Sequence, residues 1–311
     1  MQASLRAAAK QTLNLAVLIL VVSTVLFFLL RLTGDPAAVL AGPDATAEQL
    51  AAIRRAYGLD QPLAVQFFSY IGQMLRGDFG RSLATSQPAI ELVLASLPAT
   101  LSLAGLALVL AFLAAVPLGA WIGAQKEGGG ARVASALVFI LQGTPGFVAG
   151  LLLIQLFAVE LRWLPSMGLL GGTSYILPVV TLALFLMPKQ TRLIAANVAG
   201  AYRQDYVRTA RAIGAGKGAV LFRHVLPNAL VGAIALLGAQ AALLLSGAVV
   251  TETIFGWPGL GALLLTASQT LDFPVIQAIA VVTALLVFLA NAAADLAVFA
   301  IDPRIRDGLG A

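Results

Sequence analysis

The sequence predicts an all-helical membrane protein with six membrane-spanning helices. Of its 311 residues, 60% are hydrophobic and 11% are charged, and the mean hydropathy is +0.94. This composition is too apolar for a surface that faces only water. Several apolar stretches reach the roughly 20 residues that a helix needs to cross a hydrocarbon core of about 30 Å. Closed β-barrels fit badly, because their strands alternate in polarity.

Composition also excludes several kinds of chemistry. The sequence contains no cysteine, so it forms no disulfide, thiol nucleophile or thiolate metal site. A net charge of +5 and an isoelectric point near 9.9 could suggest nucleic-acid binding. The basic residues, however, lie between apolar segments and form no single stripe. We therefore expect membrane lipids, and no nucleic acid, around this chain.

Six apolar segments predict the membrane spans. Segments richer in charge separate them, which is the pattern of a polytopic membrane protein. The predicted spans cover residues 12–32, 97–123, 133–159, 175–191, 229–251 and 274–301. We interpret residues 1–311 as a single transmembrane domain that contains an insertion at 33–96 and a polar loop at 193–228.

The distribution of basic residues predicts the orientation of the chain. Thirteen of the nineteen Lys and Arg residues fall on the side of the membrane that holds both termini. The six on the other side are mostly interleaved with acids, and the loop at 252–272 has no Lys or Arg. Because cytoplasmic loops carry an excess of basic residues, both termini are predicted to be cytoplasmic.

The insertion between spans one and two carries local signals for short helices. Thr46 and Gln49 form a capping box, and Gly58 can end the helix that follows. Asp60 is predicted as the N-cap of a second helix that ends near Gly77. The predicted apolar side of this second helix consists of Leu63, Phe67, Tyr70, Ile71 and Met74. The insertion is expected on the periplasmic side, either as a shelf facing a partner or as a helix pair packed on the outer leaflet.

Prolines inside three apolar segments predict interruptions of the helices. Pro117, the Thr-Pro-Gly triplet at 144–146 and Pro188 lie within predicted spans. Proline removes a backbone hydrogen bond and clashes with the preceding turn. In lipid, such a break needs a neighbouring helix or a water-filled cavity to satisfy the backbone.

Several polar side chains are candidates to line a water-filled path. Gln142, Gln155 and Gln240 lie in spans, and Glu252 follows span five at the predicted outer face. Each is expected to face protein or water rather than lipid. Hydrogen bonding between helices is the alternative for the glutamines, and a local cap or loop contact is the alternative for Glu252. Asp295 is interpreted as a packing residue and not as a proton relay.

The loop between spans four and five contains a short helix with clear ends. Asp205 is a good N-cap and Gly214 is a good C-terminal stop. The predicted apolar side consists of Val207, Ala210 and Ile213. Arg208 and Arg211 share another side. Because about two turns of helix are marginal alone in water, contact with protein or with anionic lipid is needed to hold it.

The same loop carries a spaced motif. It contains Arg208-Thr209-Ala210, then Gly214, then His224 and Leu226-Pro227. Other ordered motifs are Gly34-Asp35-Pro36, Gly58-Leu59-Asp60-Gln61-Pro62, Gly77-Asp78-Phe79-Gly80, Leu97-Pro98-Ala99-Thr100-Leu101, Phe255-Gly256-Trp257-Pro258-Gly259-Leu260-Gly261, Asp272-Phe273-Pro274 and Asp302-Pro303-Arg304. Through these motifs nearly the whole chain resembles the permease subunits of binding-protein-dependent ABC importers, in the dipeptide, oligopeptide, glutathione and nickel branch. Arg208 and His224 depart from the general loop consensus but fit the peptide branch.

This resemblance implies a type I ABC importer permease fold in the cell inner membrane. The short helix is then a coupling helix that contacts one of two ATPase subunits, which bind ATP and Mg, while this chain holds no cofactor. A second, related permease subunit and an extracytoplasmic solute-binding protein are the other implied partners. The residues implied to couple to the ATPase are Asp205, Tyr206, Arg208, Thr209, Ala210, Arg211, Gly214, Arg223 and His224.

The chain itself is expected to be a transport subunit and not an enzyme. Residues 214–218 are glycine-rich but lack the spacing of a phosphate-binding loop. His224, the sole histidine, has no second ligand at metal-binding spacing. Dipeptides, oligopeptides or glutathione are the expected substrates, with nickel chelates, opines and saccharides as alternatives. A secondary transporter is the rival of another class, but it predicts repeated halves and intramembrane charges that the sequence does not display.

Overall fold

The computed structural model describes residues 2–33, 36–41, 45–56, 58–125 and 128–301, and nearly all of these residues are helical or lie in turns. The α-helices in chain order are α1 (Gln2–Thr33), α2 (Pro36–Ala41), α3 (Ala47–Ala56), α4 (Leu63–Met74), α5 (Ala89–Ala124), α6 (Gly129–Gly143), α7 (Gly146–Leu153), α8 (Ile176–Ala201), α9 (Asp205–Ala212), α10 (Lys217–Ala219), α11 (Leu226–Gly247), α12 (Val249–Ile254), α13 (Leu260–Gln269) and α14 (Phe273–Ile301). The π-helical segments Ile154–Glu160 and Val220–Val225 follow α7 and α10, and the 3₁₀ turn Gly172–Tyr175 precedes α8.

The described helices provide the six expected spans. Five of them, in α1, α5, α8, α11 and α14, are long and apolar enough to cross a membrane. The sixth consists of α6 and α7, which meet the same criteria together but bend by 100° at the break between them. The predicted all-helical fold is therefore confirmed, with five spans in the described residues, or six when the bent pair is counted as one span. Span four was predicted to end at residue 191, but α8 continues to Ala201, because the alanine-rich segment that follows favours helix.

Two of the three predicted proline breaks do not occur. α5 runs through Pro117 and α8 runs through Pro188, so the predictions at these positions were wrong. A long helix packed on neighbours can lose one backbone hydrogen bond and continue. The break before Pro145 is real, because Thr144 is extended, with φ −83° and ψ 125°. The residue before a proline avoids helical angles, so α6 ends there.

The chain divides into two compact units. The first comprises Met1–Thr100 and Pro258–Phe288, and the second comprises Leu101–Trp257 and Leu289–Ala311. Each unit has its own buried apolar core. The core of the first includes Ala89, Val93, Leu260, Ala267, Val275, Ile276, Ala278 and Ile279. The core of the second includes Ala115, Ile194, Val198, Ala201, Val207, Ala210, Val220, Val225, Ala229 and Ala233.

Within the first unit, α4 packs against α1. The ring of Phe67 meets Phe27 edge to face with centroids 5.3 Å apart, and Tyr70 stacks on Phe27 at 5.6 Å. The Ser23 hydroxyl donates to the sulfur of Met74 over 3.1 Å. Phe67, Tyr70 and Met74 of the predicted apolar side thus contact the first span, whereas Leu63 is 54% exposed.

The capping signals before and after α3 act as predicted. The Thr46 N–H donates to Gln49 Oε1 over 2.9 Å, and the Gln49 N–H donates to Thr46 Oγ1 over 3.3 Å. Gly58 follows α3 with φ +64°, and the Leu59 N–H returns to the Arg54 carbonyl over 2.8 Å. Both arrangements join residues at most five positions apart, which is why sequence spacing alone identified them.

The predicted start of α4 was wrong. Asp60 lies in a turn, and α4 begins at Leu63 with Pro62 in the N-cap position. Proline already has φ near −65° and lacks the N–H that the first helical turn leaves unpaired, so it starts the helix in place of the carboxylate. The predicted stop at Gly77 is confirmed by a φ of +77°.

A buried carboxylate fixes the loop before α5 in the first unit. Asp272, only 3% exposed, accepts the Ser82 hydroxyl over 2.5 Å and the Leu83 N–H over 3.1 Å. The Ala84 N–H makes a longer contact of 3.4 Å. Hydrogen bonds from these donors compensate the cost of burying a charged group. The loop and the start of α14 are therefore joined by one side chain.

Within the second unit, α5 and α8 approach each other closely at two glycines. A Cβ on Gly119 would lie 2.8 Å from the Thr191 carbonyl oxygen, and one on Gly123 would lie 2.5 Å from that of Ala195. Such distances are too short for any side chain, so the two backbones pack directly against each other. Small residues allow this close packing of helices in membranes.

Candidate functional site

The loop helix α9 is anchored in the core of the second unit. Val207 and Ala210 are buried, at 0% and 3% exposure, and they share this core with Ile194, Val198 and Val225. An eight-residue helix is unstable alone, and this burial supplies the contacts that hold it. The prediction that its apolar side is packed is confirmed for these two residues.

Two details of the prediction for α9 were wrong: the burial of Ile213 and the N-cap role of Asp205. Ile213 is 81% exposed, because α9 ends at Ala212 and Ile213 has φ −84° and ψ 7°, outside the helix. Gln204, extended at φ −79° and ψ 151°, occupies the N-cap position without a side-chain cap. Asp205 is instead the first helical residue, 3.3 Å from Arg208 Nη1. A carboxylate there still favours the helix N-terminus.

The C-terminal stop of α9 is at Gly214, as predicted. Gly214 has φ +89°, a conformation that L-residues with a side chain rarely adopt. Its N–H donates to the Arg211 carbonyl, and the Ala215 N–H donates to the Ala210 carbonyl, each over 3.0 Å. These bonds satisfy carbonyl groups that the helix end would otherwise leave unpaired.

The outward side of α9 is polar and charged. The side chains of Asp205 and Arg208 are 90% and 80% exposed, and Tyr206 is also exposed. The Arg211 guanidinium lies 5.4 Å from the ring centroid of Tyr202, which orients its charge. Together with Ile213, this side offers mixed charged, aromatic and aliphatic groups on a helix whose other side is fixed.

The remaining predicted coupling residues have local contacts. The Thr209 hydroxyl donates to the carbonyl of Asp205, one turn earlier, over 3.0 Å. Arg223 is exposed and His224 is half-buried in the π-helical segment Val220–Val225. The Asn228 amide donates to the His224 carbonyl over 2.8 Å. π-helical turns often mark functional positions, and the roles of these residues stay predictions.

Of the path candidates, Gln240 lies in a buried hydrogen-bond network. It is 3% exposed, accepts from Gln190 Nε2 over 2.8 Å and donates to the Leu186 carbonyl over 2.9 Å. Gln190 Nε2 also approaches the Ala233 carbonyl at 3.2 Å. These bonds join α8 to α11, which is the arrangement expected of the helix-contact alternative.

The side chains of the other two glutamines, Gln142 and Gln155, are exposed. Gln142 Oε1 accepts from Arg192 Nη1 over 2.7 Å, which joins the end of α6 to α8. Gln155 Nε2 donates to Glu160 Oε1 over 2.8 Å within one helical segment. The basic partner of Gln142, Arg192, directly follows the predicted end of span four at residue 191, on the side predicted to be cytoplasmic.

Glu252 is fully buried in α12. Its N–H donates to the Ala248 carbonyl over 2.8 Å, and its own carbonyl accepts the Trp257 N–H over 2.7 Å. The Trp257 ring meets Tyr175 edge to face at 4.6 Å, and the Tyr175 and Ser102 hydroxyls lie 3.2 Å apart. Sequence reasoning missed Tyr175, because nothing near it in the chain points to Trp257.

Comparison with known proteins identifies the fold first. A chain of the inward-facing MetNI methionine ABC transporter aligns with 68% of this chain and 96% of its own length, with 18% identity and a TM-score of 0.55. At that identity the likeness concerns the fold alone, which is that of an ABC importer permease.

Matches to two family models show the protein family to which the chain belongs. The model for the binding-protein-dependent transport system inner membrane component matches residues 115–307, and the model for its N-terminal region matches residues 4–104. The chain belongs to this family of inner membrane components of binding-protein-dependent transport systems. It is 37% identical to the glutathione transport system permease protein GsiC of Salmonella choleraesuis (strain SC-B67), and 36% identical to GsiC of Escherichia coli (strain K12). Each alignment spans 298 residues, which are 96% of this chain and 97% of the relative.

Proposed function

We propose that this chain is one permease subunit of an ATP-driven importer that takes up peptides or glutathione. One observation carries the proposal most directly: α9 is held in the core by Val207 and Ala210 while its opposite side is exposed. A fixed helix with an open polar side suits a contact that transmits force from another protein. Similarity to glutathione permeases over nearly the whole chain supports the substrate class.

In the proposed mechanism, α9 docks on an ATPase subunit. Closure of two ATPases around ATP and Mg moves α9, and its buried side passes this movement to α8 and α11 through their shared core. The permease then changes between two packed states that open to opposite sides. The chain binds no cofactor and hydrolyses no ATP itself. The proposed docking residues are Asp205, Tyr206, Arg208, Thr209, Arg211, Gly214, Arg223 and His224, and the buried Ala210 holds the helix from its other side.

The complete importer contains further partners. Two ATPase subunits lie on the cytoplasmic side, a second and related permease subunit completes the membrane domain, and an extracytoplasmic binding protein delivers the solute. Both termini and the loop at 193–228 face the cytoplasm, and the insertion at 33–96 faces the periplasm. The exposed Gln142 and Gln155 line the proposed transport path or gate, and the buried Gln240 and Glu252 support the packing around it.

Reconstitution tests this function. The permease pair is placed in vesicles with and without the ATPases, and uptake of labelled peptide or glutathione is measured with loaded binding protein. Uptake is expected only with ATPases and hydrolysable ATP. Uptake without nucleotide would instead indicate a secondary transporter.

Two further measurements test orientation and substrate. A cysteine introduced at Arg208 is expected to react with a membrane-impermeant maleimide in inside-out vesicles but not in intact cells. Labelling in intact cells would overturn the coupling role. Calorimetry on the binding protein of the same transport system is expected to show peptide or glutathione binding, and binding of a nickel chelate, an opine or a saccharide alone would replace that substrate class.

A further inference from the structure

The second unit contains a cavity of about 580 Å³ between the end of α5, α6 and α8. This volume lies within the range of roughly 300–1,000 Å³ that is usual for small-molecule sites. Most of its wall is apolar, but Thr191, Arg192 and Arg203 also line it. These three residues were not among those that the sequence predicted to line the transport path or to contact the ATPase.

Arg192 supplies a positive charge to the cavity from α8. It lies within α8, nine residues before the helix ends at Ala201, or about 13 Å along the axis. Its Nη1 donates to Gln142 over 2.7 Å, and its guanidinium lies 5.8 Å from the ring centroid of Phe139. Neither neighbour is an acid, so these two contacts orient the charge without neutralising it.

Arg203 adds a second positive charge to the same cavity. It lies in the turn after α8 and is exposed. Among the described residues that line this cavity, none is a carboxylate. An arginine has five N–H donors and no acceptor, so two such groups at one cavity favour a ligand with negatively charged acceptor atoms.

Thr191 points to the same kind of ligand. Its side chain is fully buried, and its hydroxyl has no hydrogen-bond partner within the described part of the chain. Buried hydroxyl groups nearly always have a partner. Because Thr191 lines the cavity next to Arg192, its hydroxyl can donate a hydrogen bond to a ligand in the cavity.

We propose that this cavity binds a carboxylate group of the transported solute, with Arg192 and Arg203 supplying charge and Thr191 supplying a hydroxyl donor. The inference rests on the proposed import function and narrows its substrate to solutes with a free carboxylate, such as unmodified peptides and glutathione. The apolar wall formed with Phe139 and Ala196 covers the uncharged part of the solute. A neutral saccharide has no group that needs two arginines.

Absence of native cysteine from the chain allows a direct test. Ala196 is exposed and lines the cavity, so Ala196→Cys is made in the complete transporter in nanodiscs, without binding protein. The alkylation rate of this cysteine by a neutral maleimide is followed by mass spectrometry. A tripeptide with a free C-terminal carboxylate is titrated against the same tripeptide with a C-terminal amide.

The free acid is expected to slow alkylation, by about threefold when its concentration is twice its dissociation constant, and the amide is expected to protect much less. Arg192→Gln and Arg203→Gln are each expected to abolish the difference. Arg132→Gln is the matched control, because Arg132 lies exposed on α6 but does not line the cavity. Arg192→Lys keeps the charge and is expected to retain part of the protection.

Equal protection by acid and amide, or protection that survives in both glutamine variants, would overturn the proposal. The titration is repeated in zwitterionic and in anionic lipid. Alkylation that depends on anionic lipid and not on peptide would assign the cavity to a lipid headgroup and also overturn it. ATP-dependent uptake by the parent transporter is measured in parallel. Intact uptake without protection contradicts this inference alone, whereas no uptake contradicts the proposed function.

Discussion

Replacement of Gly214 tests whether the fixed end of α9 is needed for transport. Its φ is +89°, and a Cβ placed there would meet no atom within 4 Å. A substitution therefore acts through backbone strain and not through a clash. Forcing an L-residue into the left-handed region costs about 1–2 kcal/mol. That cost falls on the bonds from Gly214 to Arg211 and from Ala215 to Ala210.

The expected effect is local. A cost of 1–2 kcal/mol changes the ratio of ordered to frayed helix end by a factor of roughly 5–30, and α9 is only eight residues long. Gly214→Val is therefore expected to leave membrane insertion intact while reducing uptake severalfold. Gly214→Asn is expected to have a smaller effect, because asparagine tolerates positive φ better than a β-branched residue.

Gly216 provides the matched control. A Cβ placed there would also meet no atom within 4 Å, but the φ of −65° and ψ of 158° at Gly216 suit valine. The assay measures uptake and binding-protein-stimulated ATP hydrolysis in reconstituted vesicles, with the amount of inserted permease determined by immunoblot. Equal uptake by Gly214→Val and Gly216→Val, at wild-type level, would refute the coupling role of this helix end.

Two further substitutions test packing. Gly123→Ala is expected to lower the melting temperature of the purified permease, because its Cβ would lie 2.5 Å from the Ala195 carbonyl oxygen and overpacking costs about 1–3 kcal/mol. Gly105→Ala in the same helix meets nothing within 4 Å and should not destabilise, so equal melting temperatures would contradict the close approach of α5 and α8. Ser82→Ala removes a hydrogen-bond donor from the buried Asp272 carboxylate. It is therefore expected to destabilise the loop before α5 by about 1–3 kcal/mol, which is measured as faster proteolysis between residues 82 and 87. Ser268→Ala removes an exposed hydroxyl bonded within its own helix and serves as the control, and equal cleavage of the two variants would show that the Asp272 contact adds no stability.

Local signals predicted several helix ends correctly. The capping box at Thr46 and Gln49 and the stops at Gly58 and Gly214 all appear in the structure. These arrangements involve residues at most a few positions apart, so sequence spacing contains the necessary information. Asp205 shows the limit of such signals, because an acid in the first turn and an acid at the N-cap produce nearly the same pattern.

The candidate site was predicted less completely. The sequence identified α9, but it placed Ile213 on the buried side, since a helical repeat takes no account of where the helix stops. It assigned Arg192 to a cytoplasmic loop, because basic residues usually end a span. The contact with Gln142 and the shared cavity depend on α6 and α8 lying side by side.

By itself, the sequence determined that this protein is helical, crosses the membrane six times and belongs with importer permeases, because apolar length and local motifs are properties of short segments. Tertiary structure alone decided which polar groups meet. Asp272 and Ser82 are 190 positions apart, and the spacing between Gly123 and Ala195 follows from how two helices cross. Such contacts depend on packing between distant segments, and no local pattern in the chain specifies them.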